Sequence, residues 1–359
     1  MTATVGTPAS GAPVGGVASS PPAPRRSRRT VVRAGGLVAA VALLAAVLVA
    51  SVALGARSIP PGTVWHLLLQ DAGTGDEWAV VHELRVPRTL LGLGVGVALG
   101  VSGALMQALT RNPLAEPGLL GVNLGASAAV VAAIAFLGVG SAAGYVWFAF
   151  AGAGLTSGAV FLLGGTGRRP TPERQVLAGV AITAVLGAFV WGVLVTRREA
   201  FDRFRHWDVG SLADRDAAVL SQVGPFLVAG TLLALALARS LDAMALGDEA
   251  AAALGSRPAL VRALGFAAVT LLCGAATAAA GPIWFLGLAV PHAARLVTGP
   301  EQRWVLAYSL VLAPAVLLAA DVVGRLVVAP SELAVGIVTA FVGAPVFLAL
   351  CRRRRIARL

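Results

Sequence analysis

A succession of apolar runs, each long enough to cross a lipid bilayer, constrains this chain more than any other feature. A hydrocarbon core asks for about 20 predominantly apolar residues per helix. Runs of that kind occur at 34–56, 89–110, 118–137, 143–164, 175–196, 218–238, 262–280, 282–298, 304–324 and 333–350. Mean hydropathy is +0.83, with 57% hydrophobic and 13% charged residues, far from the make-up of a soluble domain. The expected fold is therefore all-α, a polytopic membrane protein with about ten transmembrane helices. The stretches 138–144 and 281–282 are read as very tight turns between them.

Every basic residue is arginine, since the 359-residue sequence contains no lysine. That removes a P-loop, which needs a lysine on the nucleotide phosphates, and Schiff-base chemistry. If nucleotide hydrolysis drives this protein, a separate chain performs it. The net charge of +11 is spread between apolar runs with no basic, aromatic-rich groove, so it reads as membrane topology rather than nucleic-acid binding. With both termini inside, the inner segments hold most of the arginines, as the positive-inside rule requires. Cys273 and Cys351 support neither a disulfide framework nor a metal site.

Residues 1–33, rich in Pro, Gly, Ser and Ala and ending in RRSRRTVVR, are expected to form a disordered basic tail. The pair of arginines brings an export signal to mind, but the apolar run that follows is too long for one and many more succeed it. The body then spans 34–351, with an inner loop at 240–262, and 352–359 form a basic inner terminus.

Four segments carry more than hydrophobicity. TRNPLAEPGLLG (110–121) joins two apolar runs; Asn112, Pro113, Pro117, Gly118 and Gly121 suit a turn that stops one helix and starts the next. LDAMALGDEAAAALGSRPALVR (241–262) reads as a loop with a short helix, its acids at the start and Gly255 after its end. Leu246, Ala250, Ala253 and Leu254 could lay a small-residue face in a partner's groove or rest on lipid headgroups. In GPIWFLGLAVPHAARLVTGPEQRW (281–304), Gly281, Pro282 and Pro291 interrupt an apolar run, and His292 reads as a satisfied interfacial histidine rather than a metal ligand. Asp321 and Arg325 are four residues apart and share a helix face, so they can pair near a membrane boundary.

Taken in order, LRVPRTL, SGALMQALTRNPLAEPGLLGVNLGA, WDVGSLADRD, ALGDEAAAALG, GPIWFLGLAVPHAARL, ADVVGRL and PSELAVGIVTAFVGAPVF resemble the FecCD-type permeases of ATP-binding-cassette importers for ferric siderophores, haem and cobalamin. The likeness runs over about residues 34–355. It implies a permease subunit working as a homodimer or with a paralogue, on ATPase subunits that carry ATP and Mg. A substrate-binding protein, which can be a lipoprotein, would deliver cargo, ferric siderophore being the commonest in the family. No cofactor or metal is implied on this chain. By the resemblance, Gly247, Glu249, Ala250 and Gly255 match the helix that docks in the ATPase, while Arg85, Arg88 and Arg325 match arginines that receive glutamates of the binding protein. Asn112, Pro113, Pro117, Gly118, Gly121, Gly281, Pro282, Pro291 and His292 fall in its structural motifs.

The rival classes are an ion- or proton-coupled secondary carrier and a non-transporting membrane scaffold. Near absence of acids within the spans disfavours the first, and uptake in a reconstituted system would exclude the second.

Overall fold

The structure, a computed structural model, describes residues 25–57, 59–69, 75–165, 172–213, 215 and 217–352. The chain begins with α1 (Arg25–Ala53), α2 (Pro61–Leu68), α3 (Asp76–Ala79), a π-helical turn (Val80–Arg85) and α4 (Val86–Thr110). A 3-10 turn (Pro117–Leu120) leads into α5 (Val122–Leu137), α6 (Ala142–Gly165) and α7 (Pro172–Thr196). There follow α8 (Arg198–Asp208), α9 (Ala217–Met244), α10 (Asp248–Ala253), α11 (Pro258–Ala280), α12 (Leu286–Thr298), α13 (Gln302–Val327) and α14 (Val335–Arg352). No strand occurs among the described residues.

Each apolar run becomes a helix, and α2, α3, α8 and α10 are short additions between them. Among the described residues, seven helices are both long and apolar enough to cross a membrane, with α5 and α14 as shorter apolar helices. Two boundaries differ from expectation. Residues 1–24 and 353–359 lie outside the described residues, but α1 already starts at Arg25, so residues 25–33, expected in the disordered tail, are helical. Arginine is a good helix former, and no Gly or Pro follows Pro24 until Gly35. Likewise α9 runs to Met244 and α11 starts at Pro258, so the inner loop is shorter than 240–262.

The core is built around α4, packed by α13, α11, α9 and α12. Small residues make this possible: a Cβ on Gly96 would collide with the backbone of Pro314, and one on Gly103 with the carbonyl of Gly287. We expect Gly103→Val to lower the permease's melting temperature in detergent, because overpacking costs about 1–3 kcal/mol or more where backbone must move. An unchanged melting temperature would mean that α4 and α12 can separate freely.

The short helices α5 and α12 have a common explanation. At 1.5 Å per residue, their 16 and 13 residues reach only about 24 and 20 Å, less than the runs 118–137 and 282–298 promised. Gly287, near the start of α12, meets Gly103 well inside α4, so α12 begins within the bundle. Gly281–Pro282 is thus an interior break, not a turn at the surface. Irregular backbone is tolerated there because protein groups satisfy it. Glu116 accepts from the Phe285 N–H at 2.8 Å, Gln107 Nε2 donates to the carbonyls of Gly287 and Leu288, and Ser211 N–H donates to the Ala280 carbonyl at 2.7 Å. This is what TRNPLAEPGLLG does: its Glu116 holds the broken strand of chain ahead of α12. The charged stretch 196–207 becomes α8, which buries Ala200, Phe204 and Trp207 and sets the Trp207 carbonyl against Gly281.

Candidate functional site

The two ends of the bundle are built differently. At the α8 end lies a cavity of about 910 Å³. Arg57, Arg85, Arg88, Arg203, Arg215 and Arg325 line it, against the acids Glu83 and Glu332, with Trp207, Leu212 and Ile337 among the apolar lining. A cavity so lined favours anionic groups.

The three arginines expected to face a partner lie together here, but they are engaged unequally. Arg85, only 5% exposed, donates from Nη1 to the carbonyls of Val52 (3.0 Å) and Ala53 (2.8 Å) and from Nη2 to that of Arg57 (2.5 Å). Gly55 leaves the room, since a Cβ there would crowd the guanidinium. Arg325, 2% exposed, donates from Nη1 to the Ser51 and Leu54 carbonyls, both at 3.0 Å, and from Nη2 to Ser51 Oγ. Both side chains therefore cap α1, whose last carbonyls lack helical partners and carry the negative end of the helix dipole. Their geometry gives them a framing role that the sequence resemblance did not suggest.

Arg88 differs. Its Nε and Nη2 grip Asp321, at 3.1 and 2.7 Å, and its Nη1 donates to Glu332 at 2.6 Å. Asp321 is fully buried and also meets Arg325 Nη2 at 3.1 Å, so the pair expected from the four-residue spacing exists and is extended by Arg88. Ser51 and Thr89 hydroxyls, 2.8 Å apart, bind α1 to α4 beside it.

At the opposite end α10 projects between α9 and α11. Gly247 (φ 104°) and Gly255 (φ 81°) bracket it in backbone conformations that favour glycine. Glu249 and Ala250 are exposed, as are Leu246 (68%) and Leu254 (66%), while Ala251 is buried. Asp248 fixes this helix: Arg262 Nη2 donates to both its oxygens at 2.8 and 2.7 Å, and Arg111 Nη2 to Oδ1 at 2.6 Å. Arg111, left-handed at φ 50°, ends α4 and also donates to the Met244 carbonyl. The 110–121 turn and the loop helix are thus one tied unit.

Hydrogen bonding from Arg262, reinforced by Arg111, holds the Asp248 carboxyl below its ordinary value of 3.8. A depressed folded-state pKa means that the tie is complete above the unfolded value and is lost as pH falls through the lower folded one. Protection from hydrogen exchange over residues 245–257, taken relative to the intrinsic rate at each pH, should therefore hold from about pH 8 to 5 and fall only below about pH 4. Asp248→Asn should show fast exchange at neutral pH; slow exchange in that variant would mean that the tie does not hold the loop.

The motif residues serve packing. Asn112 Oδ1 accepts from the Leu114 N–H at 3.0 Å, an Asx turn beside the half-buried Pro113. Pro117 opens the 3-10 turn, Gly118 faces Trp284, and Gly121 ends the turn at φ 72°. Gly281 (φ 78°) and Pro282 are buried at the interior break. Pro291 lies inside α12, and His292, expected at a water interface, is buried at 6% exposure because α12 sits against α4 and α13. One turn on, Arg295 is also buried, with Nη1 on Gln107 Oε1. Among the described residues no group of three or more His, Cys, Asp or Glu could hold a metal ion.

An arginine-lined cavity at one end, an exposed loop helix at the other and a closely packed body of membrane-crossing helices between define a multi-pass membrane protein. The profile of the FecCD transport family matches residues 43–353, and the chain belongs to that family. It is 46% identical to the ferric enterobactin transport system permease protein of Escherichia coli (strain K12), over 85% of this chain and 91% of that one. It is 37% identical to the hemin transport system permease protein of Yersinia pestis, over 88% of this chain and 95% of the relative. A solved structure described as a metal-chelate type ABC transporter in an inward-facing conformation superposes with a TM-score of 0.77 at 25% identity, covering 90% of this chain and 99% of that one. The chain is thus a permease subunit of an ATP-binding-cassette importer, a family that works with ATPase and binding-protein partners.

Proposed function

We propose that this permease imports a ferric siderophore handed over by a binding protein, with α10 and both termini on the cytoplasmic side. The observation that carries the reading is the pairing of an arginine-lined cavity at one end with an exposed, tethered loop helix at the other. Arginine forks suit carboxylates of a docking protein, and rim charge steers its approach. Because Arg85 and Arg325 are committed to α1, docking falls to Arg88, helped by the exposed Arg57 and Arg203.

On the cytoplasmic side Glu249 and Ala250 of α10, flanked by Gly247 and Gly255, dock in the ATPase, which carries ATP and Mg; this chain holds no cofactor of its own. A second permease subunit, identical or similar, packs against the outward apolar face of α7, where Leu177, Val185, Trp191 and Val195 are exposed. The cargo class follows the relatives, of which the ferric enterobactin permease shares 46% identity.

The test is uptake of radiolabelled iron, as ferric siderophore, into vesicles holding this chain, its ATPase and its binding protein. Uptake that needs ATP and all three components supports the reading. Uptake indifferent to ATP returns the chain to a secondary carrier, and uptake of haem or cobalamin instead replaces the cargo.

A further inference from the structure

Arg88 meets two carboxylates of different standing. Asp321 takes its Nε and Nη2 edge, is fully buried on α13 and is shared with Arg325. Glu332 takes the remaining corner, Nη1, at 2.6 Å; its side chain is 31% exposed and it lies outside any helix, on the connection between α13 and α14. That corner faces the arginine-lined cavity, whose lining includes both residues.

Of the five guanidinium N–H donors, Asp321 takes those on Nε and Nη2 and Glu332 takes one on Nη1, so an arriving carboxylate meets a negative charge already seated on the cavity side of Arg88. We propose that Glu332 is a resident carboxylate that holds the docking position on Arg88 and is displaced by an acidic side chain of the incoming binding protein. This rests on the reading of the cavity as the binding-protein dock.

The physical case has two parts. A guanidinium only 12% exposed would lose hydrogen bonds if its corner were left empty without a partner. Glu332 supplies one, so in the empty permease each guanidinium nitrogen of Arg88 has a carboxylate partner. A partly exposed ion pair is also weak, which makes the resident carboxylate exchangeable for an external one of the same chemistry. The exchange swaps one carboxylate on Arg88 Nη1 for another of the same chemistry, so Arg88 fixes where the partner seats while docking remains reversible. Glu332 further offsets the positive field of Arg57 and Arg203 along the approach.

The experiment measures affinity of the binding protein for the complete importer in lipid nanodiscs, at low and high salt, with Glu332→Gln, Glu332→Asp, Arg57→Ala and Arg203→Ala. Removing the resident charge should tighten docking about three- to tenfold, with the gain shrinking as salt rises. Glu332→Asp keeps the charge but withdraws it by one methylene, and should tighten docking by a smaller factor that persists in salt. It also serves as the reading if the glutamine variant fails to insert. Arg57→Ala and Arg203→Ala leave the Arg88–Glu332 pair in place and should weaken docking. If they weaken it while both Glu332 variants bind no tighter than the parent, the resident-carboxylate inference is overturned and the dock stands. If neither arginine matters, the dock itself is misplaced and the inference falls with it.

Discussion

Truncating Asp321 to alanine will cost the permease about 3–5 kcal/mol of stability, because it strands buried charge rather than merely deleting a contact. Arg88 and Arg325 both lean on this carboxylate, and Arg325 is 2% exposed. Removing the shared anion leaves two neighbouring guanidinium groups with Glu332, on Arg88 alone, as the counter-charge between them. Asp321→Asn keeps the shape and one acceptor and should lose less. The check is thermal unfolding of the purified permease in detergent, beside its yield from membranes. A melting temperature equal to that of the parent would show that water or Glu332 takes over the anion's place.

Reversing the charge at Glu249 on α10 will reduce ATP-driven uptake by about tenfold or more, the scale on which a like-charge clash disrupts a docked interface. The substitution lies on an exposed face and leaves the Asp248 ties to Arg111 and Arg262 untouched. The permease should therefore insert and melt normally while failing to retain its ATPase on purification. Uptake at the parent's rate would remove Glu249 from the coupling surface. Loss of uptake with the ATPase still bound would place its role after docking.

Much of the architecture was legible because bilayer thickness imposes a length on apolar runs. Every run became a helix, and Leu246, Ala250 and Leu254, residues with which the loop could meet a partner or headgroups, are exposed. An apolar run does not say how far across the bundle it travels, however. The run at 282–298 looked like a full span, yet its start is an interior break whose polar partners, Glu116, Gln107 and Ser211, come from remote parts of the chain. Pro117 and Pro282 marked where breaks occur without marking their depth.

The arginines teach a related lesson. Spacing revealed the Asp321–Arg325 pair because it is local to one helix. The capping of α1 by Arg85 and Arg325 was invisible, since the acceptors are backbone carbonyls of residues 51–57, which a residue of any type would supply. Burial of His292 was missed for the same reason: the neighbours that exclude water lie on α4 and α13, not beside it in sequence. In α8, by contrast, the spacing of Ala200, Phe204 and Trp207 holds a buried helical stripe within a strongly charged segment.

The fastening of α1 divides the molecule mechanically. At one end Arg85 and Arg325 clasp its terminal carbonyls; at the other Arg33 pairs with Glu301 at 2.5 Å, and Tyr308 donates to the Arg33 carbonyl at 2.7 Å. Although α1 is largely outward-facing, it is pinned along its length to α13, which in turn interlocks with α4. These three helices form one clasped frame, so α1 travels with α13 and α4 as a single body in any rearrangement of the bundle.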